Sequence, residues 1–162
     1  MKLNYCIECG AKLHKKTTTV YLCANNHPYW NNPRAAAAIV LLKDHQALFS
    51  KRARDPKKNQ YDFPGGFLEY GESAETAIKR ELKEETGLVA KELILIGWAA
   101  NIYEENTSVC DAVFLSRDWE GQPLAADDSA ALEWKPIDFI FSPEFAWDYT
   151  GLVDKIKEFS KG

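Results

Sequence analysis

The sequence predicts an α/β fold in which a mixed β-sheet lies between helices, preceded by a small zinc-ribbon-like segment. Apolar runs of strand length recur after residue 34, and a stretch free of glycine and proline, Ala74 to Thr86, has helical periodicity. Two turns with cysteine and histidine stand near the N-terminus. A chain of 162 residues accommodates one domain with a sizeable core and a small appendage. We therefore assign the zinc-ribbon-like segment and linker to residues 1–33 and the main domain to residues 34–162.

Composition is that of an ordinary globular protein, with 46% hydrophobic and 27% charged residues. The longest apolar run, Ala35–Leu42, is too short to cross a bilayer, and the residues before Cys6 lack the apolar run of a signal peptide. We expect a cytoplasmic protein without a membrane partner. The net charge of −4 combines a basic front with an acidic body, which suits a cation site better than nucleic acid. The sequence does not decide whether the chain forms a homodimer.

The first element is a pair of turns with metal-ligand side chains. A C-x2-C turn is followed thirteen residues later by a second turn, and thiolate and imidazole are the ligands that Zn²⁺ prefers. The predicted zinc ligands are Cys6, Cys9, Cys23 and His27. His14 is an alternative fourth ligand because Asn26 stands where a second C-x2-C pair would end. So short a segment buries little apolar surface, so the zinc is expected to be structural, unless the ribbon has lost its metal.

After the linker Asn31-Asn32-Pro33, the main domain is expected to begin with a β-hairpin. Its strands are Ala35–Lys43 and Ala47–Lys51, joined by the turn Asp44-His45. Later apolar stretches predict strands near Val89–Tyr103, Ser108–Ser116 and Ala131–Trp134, then a helix from about Pro143 to Phe159. Cys110 lies in an alternating apolar stretch and is expected to be a small core residue.

A basic segment follows the hairpin, with Lys51, Arg52, Arg54, Lys57 and Lys58 within eight residues. A solvated charge run and a phosphate-binding loop are both consistent with this composition. Because the segment comes just before a glycine turn, Arg52 and Arg54 are candidate substrate-binding residues.

That turn, Pro64-Gly65-Gly66, leads to the helix with the clearest boundaries. Ser73 is the expected N-cap, and Gly87 is the expected stop. At about 100° per residue, Glu81 and Glu85 fall on the apolar side and Glu84 lies at its edge. Like charges at about 4 Å repel by roughly 4 kcal/mol at an effective dielectric of 20. A surface helix with paired glutamates is one explanation, and a bound Mg²⁺ or Mn²⁺ is the other.

The spacing of these residues resembles the complete signature of the Nudix hydrolase family. The matching positions are Gly66, Glu72, Arg80-Glu81-Leu82, Glu84-Glu85 and Gly87-Leu88, which together span 23 residues. The resemblance implies an α/β/α sandwich and metal-dependent hydrolysis of a phosphoanhydride bond. The implied substrate is a nucleotide-type small molecule, a nucleoside diphosphate linked to another group, such as NADH or NAD⁺, ADP-ribose, a dinucleoside polyphosphate or a nucleotide sugar.

The resemblance also implies residue roles. Carboxylates at Glu81, Glu84 and Glu85 and the carbonyl of Gly66 would hold Mg²⁺ or Mn²⁺. Glu81 is our first candidate for the general base, and Arg80 and Glu72 would orient the metal-binding carboxylates as an ion pair. Later acids are alternative candidates for the base, namely Asp127, Asp128 and Glu133.

The substrate is less well defined than the reaction. A zinc ribbon before the signature is similar to NADH pyrophosphatases, but their aromatic-proline element is absent from Leu93 to Val113. Tyr103 lies where dinucleoside-polyphosphate members carry a tyrosine, and no proline stands there as in ADP-ribose members. Core packing or base stacking could explain the aromatic residues Trp98, Tyr103, Trp119 and Trp134. The alternative function is a nucleotide-sensing Nudix regulatory protein whose zinc ribbon contacts nucleic acid.

Overall fold

A computed structural model describes residues 4–105 and 107–160 of the chain. A small antiparallel sheet comes first, made of β1 (His14–Lys15), β2 (Val20–Leu22) and β3 (Pro28–Trp30). Nine strands follow: β4 (Arg34–Lys43), β5 (Gln46–Arg52), β6 (Tyr61–Asp62), β7 (Gly65–Phe67), β8 (Val89–Ala90), β9 (Ile94–Glu104), β10 (Thr107–Ser116), β11 (Trp119–Glu120) and β12 (Ser129–Pro136). The helices are α1 (Ala74–Thr86) and α2 (Val153–Phe159), with 3-10 turns at Ile137–Phe141 and Thr150–Leu152.

The predicted hairpin and the predicted helix α1 are present, whereas two elements differ from the prediction. The expected strand from Val89 is interrupted after Ala90 and resumes at Ile94. The expected C-terminal helix begins only at Val153. Its first part forms an extended pairing with β6, in which Tyr61 N donates to Glu144 O and Ala146 N donates to Tyr61 O. Those backbone groups are therefore not free to close helical turns.

The main sheet has the order β12-β5-β4-β10-β9, with β6 beside β5 and β7 beside β4. Among the paired strands that the structure describes in this mixed sheet, β4 and β10 run parallel and the other pairs are antiparallel. Strands β4 and β5 pair only at Leu42–Ala47 and Lys43–Gln46, next to their connecting turn. Beyond that point β4 pairs with β7 and β5 pairs with β6, so the sheet divides and a cavity lies at the division.

Strand β4 is apolar and buried on both faces from Ala36 to Leu42. Ala38 and Val40 pack on the side of the C-terminal segment and α2, while Ala37 and Ile39 pack on the side of α1. Helical elements on both faces of one mixed sheet make this an α/β/α sandwich. Cys110 is half-buried rather than a core residue, because its cross-strand neighbours on that face are exposed.

The ribbon has a small core of its own, formed by Cys6, Leu13 and Cys23. Among the residues that the structure describes, no helix is both long and apolar enough to cross a membrane.

Candidate functional site

Helix α1 carries the charged side chains of the predicted site, and local sequence fixes its two ends. Ser73 accepts a hydrogen bond from the backbone N–H of Thr76 at 3.2 Å. Gly87 ends the helix in the left-handed conformation, with a φ of 72°. The apolar stripe of the helix packs on the sheet. Acidic residues beside that stripe are therefore placed at the edge of the core, next to β7.

Glu85 is the most deeply buried acid of this helix, with 7% of its surface exposed. It accepts a hydrogen bond from the backbone N–H of Gly65 at 3.1 Å. Burial raises the pKa of Glu85 to about 8, opposed by the Gly65 hydrogen bond and reinforced by nearby acids such as Asp62 and Glu81. A compensating cation is needed to keep such a group ionised at neutral pH. Glu85 therefore has the environment of a cation ligand.

Glu81 lies one turn before Glu85 and packs directly against Gly66. A methyl group at Gly66 would overlap the Glu81 carboxylate, so only glycine leaves room for this side chain. Burial raises the pKa of Glu81, while the neighbouring Arg80 guanidinium lowers it. The glycine turn and the helix are therefore matched to each other at this carboxylate.

Arg80 connects the loop after β7 to the helix. Its guanidinium contacts the carboxylates of Glu72, Glu81 and Glu84 at 2.9, 2.8 and 3.1 Å. It also donates to the carbonyl of Phe67 at 3.1 Å. The hydrogen bond from Arg80 holds the pKa of Glu72 below its usual value. The predicted ion pair of Arg80 and Glu72 is present, and its geometry keeps Glu81 directed toward the glycine turn.

These residues line a cavity of about 300 Å³ at the division of the sheet. Seven acids line it: Asp62, Glu81, Glu84, Glu85, Asp111, Asp127 and Asp128. Three arginines, Arg52, Arg54 and Arg80, also line it, and each is paired with at least one of the seven acids. The lining therefore carries an excess of four negative charges when all of these groups are ionised. A phosphorylated ligand would be repelled unless cations accompanied it.

The donor chemistry at α1 fits a hard divalent cation. Every charged donor is a carboxylate oxygen, and the buried Glu85 has no ion-pair partner among the described residues. Arg80 already occupies one side of Glu81 and Glu84. Within the described part of the chain, the donor atoms of these carboxylates lie farther apart than those of the ribbon cysteines and histidine.

A second group of side chains forms the other end of the cavity. Arg52 contacts Asp62 at 3.2 Å, and the rings of Tyr103 and Trp147 stack with centroids 5.4 Å apart. Burial raises the pKa of Asp62 to about 6 against the opposing effect of Arg52. Asp111 lies in the same cavity, and burial raises its pKa as well. The substrate-binding candidates Arg52 and Tyr103 are thus neighbours, while Trp147 and Asp111 were not anticipated from the sequence.

Other predicted residues have different positions. Arg54, Asp127 and Asp128 line the cavity, where Arg54 contacts the two aspartates at 3.4 and 2.7 Å. The base candidate Glu133 does not line it; Glu133 accepts a hydrogen bond from Tyr61 and pairs with Lys135.

The aromatic candidates are also divided. Trp98 is 62% exposed on β9, so it belongs neither to the core nor to the cavity. Trp119 and Trp134 stack on each other at 5.6 Å and pack against the core on the α1 side. Of the four aromatic residues considered, only Tyr103 lines the cavity.

The ribbon brings its four predicted ligands together. Donor atoms of Cys6, Cys9, Cys23 and His27 all lie within 4.8 Å of one another. No other His, Cys, Asp or Glu residues in the described ranges form so close a group of three or more, and His14 is not part of it. Backbone hydrogen bonding at Ala11 lowers the pKa of Cys9 to about 6, whereas burial raises the pKa of Cys6. Three thiols and an imidazole in this arrangement fit tetrahedral zinc.

The model of the NUDIX domain matches residues 31–155, and the chain belongs to the Nudix family. It is a hydrolase that acts on phosphoanhydride bonds, as relatives named ADP-ribose pyrophosphatase and 8-oxo-dGTP diphosphatase are.

Among those relatives is an ADP-ribose pyrophosphatase from Methanocaldococcus jannaschii. It is 31% identical over 132 residues, covering 81% of this chain and 77% of the relative. An 8-oxo-dGTP diphosphatase from Escherichia coli is 26% identical, covering 75% of this chain and 94% of the relative. A solved NUDIX hydrolase from Nitrosomonas europaea superposes with a TM-score of 0.70 over 98% of this chain and 91% of that chain, at 18% identity, and so shows the shared fold.

Proposed function

We propose that the chain hydrolyses the diphosphate bond of a nucleoside diphosphate linked to a sugar, with ADP-ribose as the first candidate, in the presence of Mg²⁺ or Mn²⁺. The observation that carries this proposal is the buried Glu85 beside the half-buried Glu81 at the glycine turn, in a cavity whose lining is strongly negative. Such a cavity admits a diphosphate only together with cations. The similarity to an ADP-ribose pyrophosphatase supports the choice of substrate.

In this proposal Glu81 and Glu85 hold the metal, with Glu84 and the carbonyl of Gly66 completing the set. The bound ion would withdraw charge from the phosphate oxygens and lower the pKa of a bound water. Arg80 holds Oε1 of Glu81 at 2.8 Å, which leaves Oε2 to accept the proton of the attacking water. Glu72 fixes the Arg80 guanidinium in turn, so the pair orients the base and does not itself react.

Arg54 is the cation most easily recruited to the substrate. Its side chain is 66% exposed, and its partners Asp127 and Asp128 are about half exposed, so their ion pairs are screened by water. A phosphate accompanied by a divalent ion could displace one of these partners at small cost. Arg54 is therefore proposed as a substrate-binding residue, and Asp127 and Asp128 remain alternative bases or additional metal ligands.

We also propose that the ribbon binds one structural Zn²⁺ through Cys6, Cys9, Cys23 and His27. The ribbon core consists mainly of two of these cysteines and Leu13, which is too little apolar surface to hold three short strands together. Metal binding would supply the missing folding free energy.

The substrate proposal is tested by product analysis on a panel with Mg²⁺: ADP-ribose, NADH, diadenosine polyphosphates, 8-oxo-dGTP and dGTP. We expect ADP-ribose to have the highest kcat/KM and to yield AMP and ribose 5-phosphate. A preference for 8-oxo-dGTP, with pyrophosphate as the product, would overturn the substrate assignment. Glu85→Gln is the matched control and should be inactive on every compound. Binding of ADP-ribose without hydrolysis by the wild type would support the nucleotide-sensing function instead.

A further inference from the structure

Four side chains from separate segments meet at the end of the cavity away from α1. Arg52 ends β5, Asp62 ends β6, Tyr103 lies on β9, and Trp147 lies in the segment before α2. All four line the cavity. None is adjacent to another in sequence, so the fold has to bring each of them to this position.

Asp62 is the centre of this group. Its Oδ2 accepts hydrogen bonds from Nε1 of Trp147 at 2.6 Å and from Nη1 of Arg52 at 3.2 Å. Its Oδ1 accepts a hydrogen bond from the backbone N–H of Phe63 at 2.7 Å. Only 15% of the side chain is exposed, so these contacts are shielded from water. Charge-assisted hydrogen bonds in such surroundings are strong and fix the donors in direction as well as in distance.

Arg52 is held on its remaining sides as well. Its Nε donates to the carbonyl of Pro56 at 2.8 Å, and its Nη2 donates to the Tyr103 hydroxyl at 3.4 Å. The guanidinium carbon lies 5.3 Å from the Trp147 ring centroid and 5.8 Å from that of Tyr103. Arg52 is therefore a fixed, neutralised part of the wall and not a free cation available to a phosphate.

The remaining carboxylate at this end of the cavity is that of Asp111. Asp111 is 8% exposed and receives hydrogen bonds from Asn101 and Tyr149, but no cation within the described residues pairs with it. With Arg52 balanced by Asp62, the cavity lining at this end carries one net negative charge when Asp111 is ionised, because the Lys57 ammonium lies against the Trp147 ring but does not line the cavity. Base stacking on Trp147 is hindered, because the Tyr103 ring and the Lys57 ammonium already lie against its ring.

We propose that Asp62 is a positioning residue that, through Arg52 and Trp147, selects an uncharged, hydroxyl-bearing sugar at this end of the cavity over a further phosphate. The inference rests on the proposed function, since it concerns the group attached to the diphosphate. Sugar hydroxyls donate to the acceptors present, whereas a terminal phosphate would face a net negative wall. ADP-ribose and ATP are a matched pair of probes, because both contain ADP and differ in whether ribose or phosphate follows.

The test is a comparison of Asp62→Asn with the wild type on these two compounds. The asparagine keeps an oxygen that can accept from Trp147 but leaves Arg52 without its counter-charge. We expect the affinity for ADP-ribose to fall and that for ATP to rise, so that their ratio changes by about tenfold or more. Dissociation constants are measured by calorimetry with Mg²⁺ in a Glu85→Gln background. Substrate is then not consumed, and the result does not depend on whether the proposed hydrolysis occurs.

Trp147→Phe distinguishes the Asp62–Trp147 contact from the Asp62–Arg52 contact. It also replaces Asp62→Asn as the test variant if Asp62→Asn folds poorly. It removes the Nε1 donor and leaves the pair of Arg52 and Asp62 intact, so the ADP-ribose affinity should fall without a gain for ATP. Trp98→Phe is the matched control outside the cavity and should change neither affinity.

Two results would overturn the inference. One is that Asp62→Asn unfolds at the same temperature as its parent and has the same ratio of dissociation constants for ADP-ribose and ATP. The other is a normally folded Trp147→Phe protein that binds ADP-ribose as tightly as its parent. Failure of the proposed function appears differently, as an absence of product from ADP-ribose with the wild-type protein.

Discussion

The buried Glu85 allows a quantitative prediction about stability in the absence of divalent ions. The pKa of this group rises from an ordinary 4.5 to about 8 in the folded chain, chiefly because the side chain is buried. At 1.36 kcal/mol per pH unit, that difference corresponds to about 5 kcal/mol. Total unfolding free energies are about 5–15 kcal/mol, so the contribution of this one group is large.

The sign follows from proton counting. Between pH 4.5 and 8 the folded chain holds a proton on Glu85 that the unfolded chain has released. The free energy of unfolding therefore falls as pH rises through this interval and levels off above it. In Glu85→Gln no proton is lost, and the amide oxygen can still accept from Gly65. The variant should match the wild type near pH 4.5 and be more stable by about 5 kcal/mol above pH 8.

Denaturant unfolding of both proteins from pH 4.5 to 9 measures this difference. The buffer should be freed of divalent ions without a chelator, so that zinc stays in the ribbon. Taking the difference between the proteins cancels the titration of groups that do not interact with Glu85, such as Asp111. Added Mg²⁺ should stabilise the wild type more than the variant, which keeps only Glu81 and Glu84 at this end, and so reverse the order. A wild type that loses no stability relative to Glu85→Gln between pH 4.5 and 9 would refute the reasoning, as would equal stabilisation of both by Mg²⁺.

Two further substitutions test the glycine turn and the ribbon. Gly66→Ala should push the Glu81 carboxylate aside and lower kcat/KM by about 100-fold. Gly151→Ala is the control and should have little effect, because an added methyl there meets no atom within 4 Å. Equal steady-state rates for the two variants would contradict the predicted overlap. Cys6→Ser should release zinc and lower the unfolding temperature by several degrees, while the folded protein keeps its kcat. Cys110 is half-buried and lies outside the ribbon, so the control protein Cys110→Ser should retain zinc. Elemental analysis measures the zinc content of both proteins. Loss of kcat in a normally folded Cys6→Ser protein would argue against a structural role.

Helix α1 could be predicted to the residue because its determinants are local. A capping serine, an uninterrupted run of helix formers and a glycine stop lie within one segment. The segment from Pro143 to Leu152 shows the opposite case. Its composition allows a helix, but pairing with β6 and burial of Phe145 and Tyr149 determine its conformation. Such contacts join residues more than eighty positions apart and leave no local signal.

The residues of the candidate site also fall into those with a local sequence signal and those brought together by long-range contacts. The carboxylates of α1 could be found from their spacing, because they share one helix and one turn. Asp62, Asp111 and Trp147 could not, since the division between β4 and β5 brings them together from distant segments. The ribbon is intermediate: two turns indicated the ligands, but only the folded chain selects His27 over His14.

The central claim is that this cavity cleaves a diphosphate bond with the help of a divalent ion. Phosphorus NMR of ADP-ribose incubated with the wild-type protein and Mg²⁺ tests it most directly. We predict that the diphosphate resonances disappear and are replaced by two phosphomonoester resonances, with no change for Glu85→Gln or without a divalent ion. Persistence of the diphosphate resonances with the wild-type protein and Mg²⁺, or equal cleavage by Glu85→Gln, would contradict the account.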